Sequence, residues 1–243
     1  MKFISTVLIL LLNQAVAAAS LEDSVRTYQE ALITHGVTGS NIAGVFKGSE
    51  VLALSAVASD LPGDKAITEE TIFPIWSMSK PVTIVAMMVL LDQGKYSVDE
   101  PVAKYLPEFG NLMCRPADDD ADLYPCEKEL LIDHLLTHRS GYSYYGNGGG
   151  EGPDFRFPFA DLEDYMRHVA SWPLEFEPGT SYLYGINQAI LGRLVEVLSG
   201  KTFYEFLYEA IFAPLGMKDT KFELTDADRL RLQPLYRKPQ LKS

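Results

Sequence analysis

The chain has 243 residues, 47% of them hydrophobic, with 33 acidic against 21 basic side chains and a net charge of −12. That much apolar material can build a core and excludes a disordered chain. The acidic balance leaves no basic footprint and argues against nucleic acid as a partner.

The first residues read as a leader. "MKFISTVLILLL" is one lysine followed by an apolar run, "NQAVAAAS" supplies small residues, and both Ala15-Val16-Ala17 and Ala17-Ala18-Ala19 fit a cleavage site. The apolar run is shorter than the roughly 20 residues of a spanning helix. Residues 1–19 are therefore expected to be a cleaved signal peptide, and residues 20–243 an exported domain, periplasmic or extracellular. No later segment is long enough to span a membrane.

"LEDSVRTYQEALITHG" predicts an amphipathic helix ending at Gly36, and "NIAGVFKGSEVLALSAVAS" two strands around a turn at Lys47-Gly48-Ser49. "LPGDKAITEETIF" is a loop. Residues 77–93 form an apolar helix stopped by Gly94, and "SVDEPVAKYLPEF" a short helix with Pro-bounded coil. Two cysteines follow, Cys114 and Cys126. In an exported chain such a pair is expected to form a disulfide. It closes an acidic loop whose Asp118, Asp119, Asp120 and Asp122 lack the spacing, glycine and terminal glutamate of an EF-hand. No metal and no cofactor is expected.

"EKELLIDHLLTHRSG" reads as a helix ended by Gly141, "NGGGEGPDFRF" as a glycine-rich loop, and "FADLEDYMRHVAS" as a helix. "FEPGTSYLY" is a turn, and "INQAILGRLVEVLSG" a helix capped by Gly200. "TFYEFLYEAIFAPLG" is read as the last helix, with Thr202 as N-cap and Glu205 at the capping-box position. Strands at the front and helices behind give an α+β class. Only two strands are evident. A lone hairpin is marginal and leaves open edges, so something else is expected to complete the sheet, and self-association through that edge is expected.

The chemistry centres on "FPIWSMSKPVT". Residues three apart share a helix face, so Ser77 and Lys80 lie side by side at a helix start. A serine hydroxyl needs a base. A lysine rooted in an apolar helix is expected to have its pKa depressed by desolvation and to serve as that base. Free N–H groups at the helix start suit a developing oxyanion. Pro81 is tolerated in a first turn. Ser-x-x-Lys alone is short enough to arise by chance. Other schemes fail: there is no G-x-S-x-G elbow and no H-E-x-x-H, and "SGKT" lacks the upstream glycine of a phosphate loop, having Val195 there. His138 reads as a brace for a helix end.

Four ordered segments resemble the serine β-lactamase and penicillin-binding-protein superfamily, in its class C-type, esterase-like branch. They are "FPIWSMSKPVTIVAMMVLLDQGKYSVDEPVAKYLPEF", "LLIDHLLTHRSGY", the stretch from "EFEPGTSYLYG" through "INQAILGRLVEVLSG", and "PLGM". The resemblance implies a β-lactamase/transpeptidase-like fold, Ser77 as acylated nucleophile, Lys80 as its partner base, and Tyr184 as the tyrosine that helps move the proton. Tyr182 is the competing reading for that tyrosine, and the place of Tyr184 after "PGT" favours it. Where relatives carry Asn two residues after the tyrosine, this chain has Ile186, with Asn187 one further on.

The resemblance also implies a later strand bearing Lys-Thr-Gly or His-x-Gly. It is not found here, so the domain is expected to be incomplete at its C-terminus, with only the N-terminal hairpin of the family's sheet. The implied function is an exported serine hydrolase acting on a small ester, amide or β-lactam, or on a D-amino-acid peptide. The alternatives are a non-catalytic relative that binds a ligand or partner, and a chain that needs a separate C-terminal piece.

Overall fold

The computed structural model describes residues 20–116, 118, 122–144 and 159–235. The expected leader, Asp119 and Asp120 of the acidic loop, and the glycine-rich stretch 146–152 lie outside the described residues. In chain order come helix α1 (Leu21–Thr34) and strands β1 (Asn41–Lys47) and β2 (Glu50–Val57). A 3-10 turn (Trp76–Met78) runs into α2 (Ser79–Asp92), and 3-10 turns follow at Val102–Lys104 and Pro107–Gly110. Then come the short strands β3 (Met113–Cys114) and β4 (Tyr124–Pro125) and helices α3 (Ile132–Leu136), α4 (Leu162–Val169), α5 (Asn187–Ser199) and α6 (Phe203–Leu207). A π turn at Tyr208–Phe212 and helix α7 (Asp226–Arg231) end the series. No helix among the described residues is long and apolar enough to cross a membrane.

The chain divides into two compact units, one of residues up to 74 and from 224 onward, the other of residues 75–223. In the first, Ser20 caps α1, accepting from the Asp23 N–H while Asp23 reaches back to Ser20. The helix packs on the antiparallel hairpin β1–β2, whose register sets Asn41 opposite Val57 and Lys47 opposite Glu50, with a bulge between Val45 and Phe46. Gln29 is buried on that contact, and its amide donates to the carbonyls of Asn41 and Ser55 at 3.2 and 3.0 Å. The returning chain pairs Leu232 with Ile72, and Gln233 donates to Asp64 at 2.9 Å. Helix α7 overturns the reading of "TFYEFLYEAIFAPLG" as the last helix. Its signal was in the sequence: Thr225 and Asp228 form a capping box.

The second unit carries the main core. Helix α2 buries Thr83, Ala86, Met87 and Leu90, and α5 buries Ile190, Leu191, Leu194 and Val195. Both sets repeat at helical spacing on one face, and the two helices pack together. Gly94 and Gly200 end these helices in left-handed geometry, as expected. Cys114 and Cys126 are bonded, with an S–S distance of 2.01 Å, across the two-residue pairing of β3 with β4, a second small sheet the sequence did not reveal.

Two expected helices are shorter or different. The helix read over "EKELLIDHLLTHRSG" is only α3, because Leu131 is held extended in a bridge to Pro101. The helix read in "SVDEPVAKYLPEF" is two 3-10 turns. Pro101 stands just before the first and Pro107 opens the second, and neither proline has an N–H to give a longer helix.

Candidate active site

The second unit brings Ser77, Lys80 and Tyr184 together. Ser77 sits in the 3-10 turn ahead of α2 and Lys80 in the first turn of α2, so the two face each other. Lys80 Nζ donates to Ser77 Oγ at 3.1 Å. Trp76, just before the nucleophile, has φ of 42°, a left-handed conformation that bulky residues avoid. The Ser79 hydroxyl donates to the Trp76 carbonyl at 2.6 Å, and the Met78 N–H to the Ile75 carbonyl at 2.9 Å. These bonds tie down a strained residue beside a reactive one.

Tyr184 reaches the same point from the segment before α5. That segment is laddered to residues 138–141: the N–H groups of Glu175, Gly179 and Leu183 donate to the carbonyls of Gly141, Arg139 and His138 at 2.8 to 2.9 Å. The glycine after Tyr184 is needed for this approach, since a Cβ on Gly185 would lie 2.0 Å from the Tyr142 carbonyl oxygen. Lys80 Nζ lies 4.7 Å from the centre of the Tyr184 ring and 5.7 Å from that of Tyr144. Tyr182, the competing tyrosine, is more exposed than Tyr184 and sets its ring edge-on to His138.

The electrostatics correct one expectation. Burial by itself presses Lys80 down, as its apolar helix suggested. Hydrogen bonds with Tyr144 and Tyr184 outweigh it, and the ammonium is held above its ordinary range. Tyr184 is the counterpart. Hydrogen bonds with Lys80 and then Ser77 favour its phenolate and hold the phenol below its ordinary range. The shared interaction thus favours the charged form of both groups, the ammonium on Lys80 and the phenolate on Tyr184.

Sequence reasoning missed Tyr144 and the strain at Trp76. It also placed His138 only as a brace. His138 does close the end of α3 through its backbone, but its ring lies 4.9 Å from that of Tyr184. His138 has φ of 56°, a left-handed turn conformation that its residue type alone does not announce. Asn187 does not face Ser77: it is fully buried and bonds Ser140 and His138. The sole grouping of possible metal ligands among the described residues is Cys114, Cys126 and Glu177, and both of those sulfurs are spent in the disulfide.

A serine bonded to a lysine at a helix start, with a tyrosine brought to both from a Pro-Gly-Thr turn, defines the β-lactamase/transpeptidase-like class, here as helices with small antiparallel sheets. The chain belongs to the Beta-lactamase family, which it matches over residues 21–242. It is 31% identical to "Esterase EstB" of Burkholderia gladioli over 90% of its own length and 55% of that protein's. It is 27% identical to "Lovastatin esterase" of Penicillium rubens, over 84% of this chain and 54% of the relative. The solved structure "EstCE1, a hydrolase with promiscuous acyltransferase activity" superposes with a TM-score of 0.74 at 26% identity, over 90% of this chain and 57% of that one. The chain thus spans about half the length of the curated relatives it matches.

Proposed function

We propose that the chain carries the nucleophile and base of a serine hydrolase that works by acyl transfer through an acyl-Ser77 intermediate. The observation behind this reading is the 3.1 Å contact of Lys80 Nζ with Ser77 Oγ, in a cluster whose lowered phenol is Tyr184. In the reading, Tyr184 rather than Lys80 takes the hydroxyl proton as Ser77 Oγ attacks the carbonyl carbon. Lys80 stays an ammonium and holds the phenolate in place. The N–H groups of Met78 and Ser79 are taken by the carbonyls of Ile75 and of Trp76 and Ser77, and Pro81 has none, so in this reading the adjacent Lys80 ammonium stabilises the developing negative charge. The leaving alcohol or amine departs with the proton from Tyr184. Water then attacks the acyl-serine with Tyr184 again as base, releasing the acid and restoring the serine.

A small ester is the favoured substrate class, supported by the names of the relatives. A β-lactam and a D-amino-acid amide are the competing arms of the assay. Export belongs to the same proposal and is supported by the Cys114–Cys126 bond, which persists in oxidising compartments. Self-association belongs to it too, supported by the exposed Phe46, Val51 and Leu54 of the hairpin.

The test is labelling of the full chain by a fluorophosphonate, with chromogenic ester, cephalosporin and D-alanyl amide as turnover substrates. Ser77→Ala abolishes labelling, and Tyr184→Phe slows it by about 10²–10⁴. The phenolate is the working form, so the rate falls as pH drops through a midpoint below the ordinary tyrosine value of about 10. Labelling that survives in Ser77→Ala defeats the assignment. Labelling without turnover on any of the three substrates favours a ligand-binding relative.

A further inference from the structure

His138 and Asn187 lie outside the acyl-transfer steps, yet both are held in one buried network beside Tyr184. The Tyr142 N–H donates to Ser140 Oγ at 3.1 Å, so that oxygen is already an acceptor. Its own hydroxyl proton goes to Asn187 Oδ1. Asn187 is thereby oriented with Nδ2 toward His138 Nδ1, 2.8 Å away. An amide N–H facing an imidazole nitrogen requires a lone pair there. Ser140 and Asn187 are both fully buried. Reversing the amide to accept from a protonated Nδ1 would leave the Ser140 hydroxyl proton without its acceptor in a dry site, a costly outcome. The imidazole is therefore locked neutral, with any ring proton on Nε2.

That neutral ring is stacked on the base of the proposed reaction. Its centroid lies 4.9 Å from that of Tyr184, with planes tilted by 32°. The Leu183 N–H donates to the His138 carbonyl at 2.9 Å, fixing the two backbones in register. The charged and titratable groups facing His138 are Lys80, Tyr184 and Tyr182, the last ring edge-on at 6.1 Å. A protonated imidazole here would set a second cation against Lys80 and compete with it for the phenolate.

We propose that His138 is a positioning residue for Tyr184: a ring kept neutral by the Ser140–Asn187 pair, clamping the phenol against the Lys80 ammonium. The inference rests on the reading of Tyr184 as base, and it assigns the Thr-His-Arg-Ser-Gly turn a part in proton placement. Burial and the nearby Lys80 charge both press the imidazole toward the neutral form, in agreement with the bonding order.

The test is NMR on the full chain without substrate. Nitrogen-15 shifts should report His138 as the neutral Nε2–H tautomer from pH 9 down to pH 5. An imidazolium or an Nδ1–H form at pH 6 overturns the proposal. Carbon-13 at the tyrosine ζ position, assigned with Tyr184→Phe, should show Tyr184 titrating below its ordinary range. His138→Ala should raise that midpoint by about one unit, a tenfold change in proton affinity. His138→Phe, which keeps a ring in the stack, should restore most of it. A midpoint unmoved in folded His138→Ala overturns the clamp.

Asn187→Asp preserves shape while replacing the donor with an acceptor, and gives a second handle should the alanine variant fail to fold. It should let Nδ1 take a proton, and a His138 tautomer unchanged in it also overturns the proposal. Fluorophosphonate labelling in parallel separates the two readings. A shifted Tyr184 midpoint with Ser77 unlabelled sinks the hydrolase and keeps the clamp. Labelled Ser77 with an unshifted midpoint does the reverse.

Discussion

Helix α2 and hairpin β1–β2 are both strongly apolar, yet they spend that character differently. Helix α2 buries Ala86, Met87 and Leu90 completely. The hairpin buries little beyond Ala53 and Ser55, and leaves Ile42, Phe46, Val51, Leu52 and Leu54 exposed. A helix satisfies its backbone internally and needs only one covered stripe. A two-stranded sheet leaves edge groups and a second face to be covered. Apolar composition alone therefore does not mark where stability is stored. The nucleophile stands at the head of the element that has its stripe covered.

The widest separation between the two regions should appear in truncations of the same type. Leu90→Ala removes a fully buried side chain from the α2 core and should cost about 2–5 kcal/mol in denaturant unfolding. Leu54→Ala removes a side chain that is 55% exposed, and should stay within about 0.5 kcal/mol. Leu54→Lys should be as mild and should reduce any concentration-dependent association seen by sedimentation. Equal losses at the two positions would mean that the exposed face of the hairpin is covered in solution.

The next effect concerns how the site is held. Alanine at position 185 would drive its Cβ to within 2.0 Å of a backbone oxygen that cannot swing away. Gly185→Ala should destabilise by about 1–3 kcal/mol and displace Tyr184. Ser77 labelling should then fall more than stability does. Gly48, at the hairpin turn, has nothing within 4 Å of the position of an added Cβ, so Gly48→Ala is strained only through its φ of 61° and should leave labelling unchanged. A Gly185→Ala variant that labels at the parent rate would show that the backbone at Tyr142 yields.

How much of this was legible follows from what kind of signal each feature leaves. The apolar run of α2 with its stop at Gly94, the Gly200 cap of α5, the hairpin turn at Gly48 and the cysteine pair are local patterns, legible in the sequence. The meeting of Ser77 with Lys80 is also local, three residues apart. The arrival of Tyr184 is not. It came from the resemblance, because no local rule says that a turn more than one hundred residues away will meet α2. The direction of the Lys80 shift could not be read at all. It depends on two phenols brought from distant segments, whereas the desolvation that was foreseen comes from the helix itself. Strands β3 and β4 were too short for any period to register. Helix α7 carries a capping box in its sequence, but its six residues include too few apolar side chains for a helical period to register.

The smallest effect is expected in the first unit, at Asp64. Its carboxylate accepts from the Ser40 N–H at 2.6 Å, the Lys65 N–H at 2.8 Å, Gln233 Nε2 at 2.9 Å and the Ser59 hydroxyl. It thereby joins the entry to β1, the loop after β2 and the returning C-terminal segment. Burial alone would raise its pKa, but the bonds from Ser59, Ser40 and Lys65 outweigh that and lower it to about 2. A carboxyl depressed in the folded state contributes stability that is fully present above its unfolded value of about 3.9. That contribution is lost as pH falls from about 4 toward 2. Because the group is partly exposed, solvent screening leaves on the order of 1 kcal/mol. Protection factors at the Ser40 and Lys65 amides should fall across this window, while those in the middle of α2 stay high. Asp64→Asn should exchange faster at neutral pH and lose the acid-dependent step. If the parent shows no step between pH 4 and pH 2, the carboxylate is not what ties these three segments together, and the pairing of Ile72 with Leu232 must hold the unit by itself.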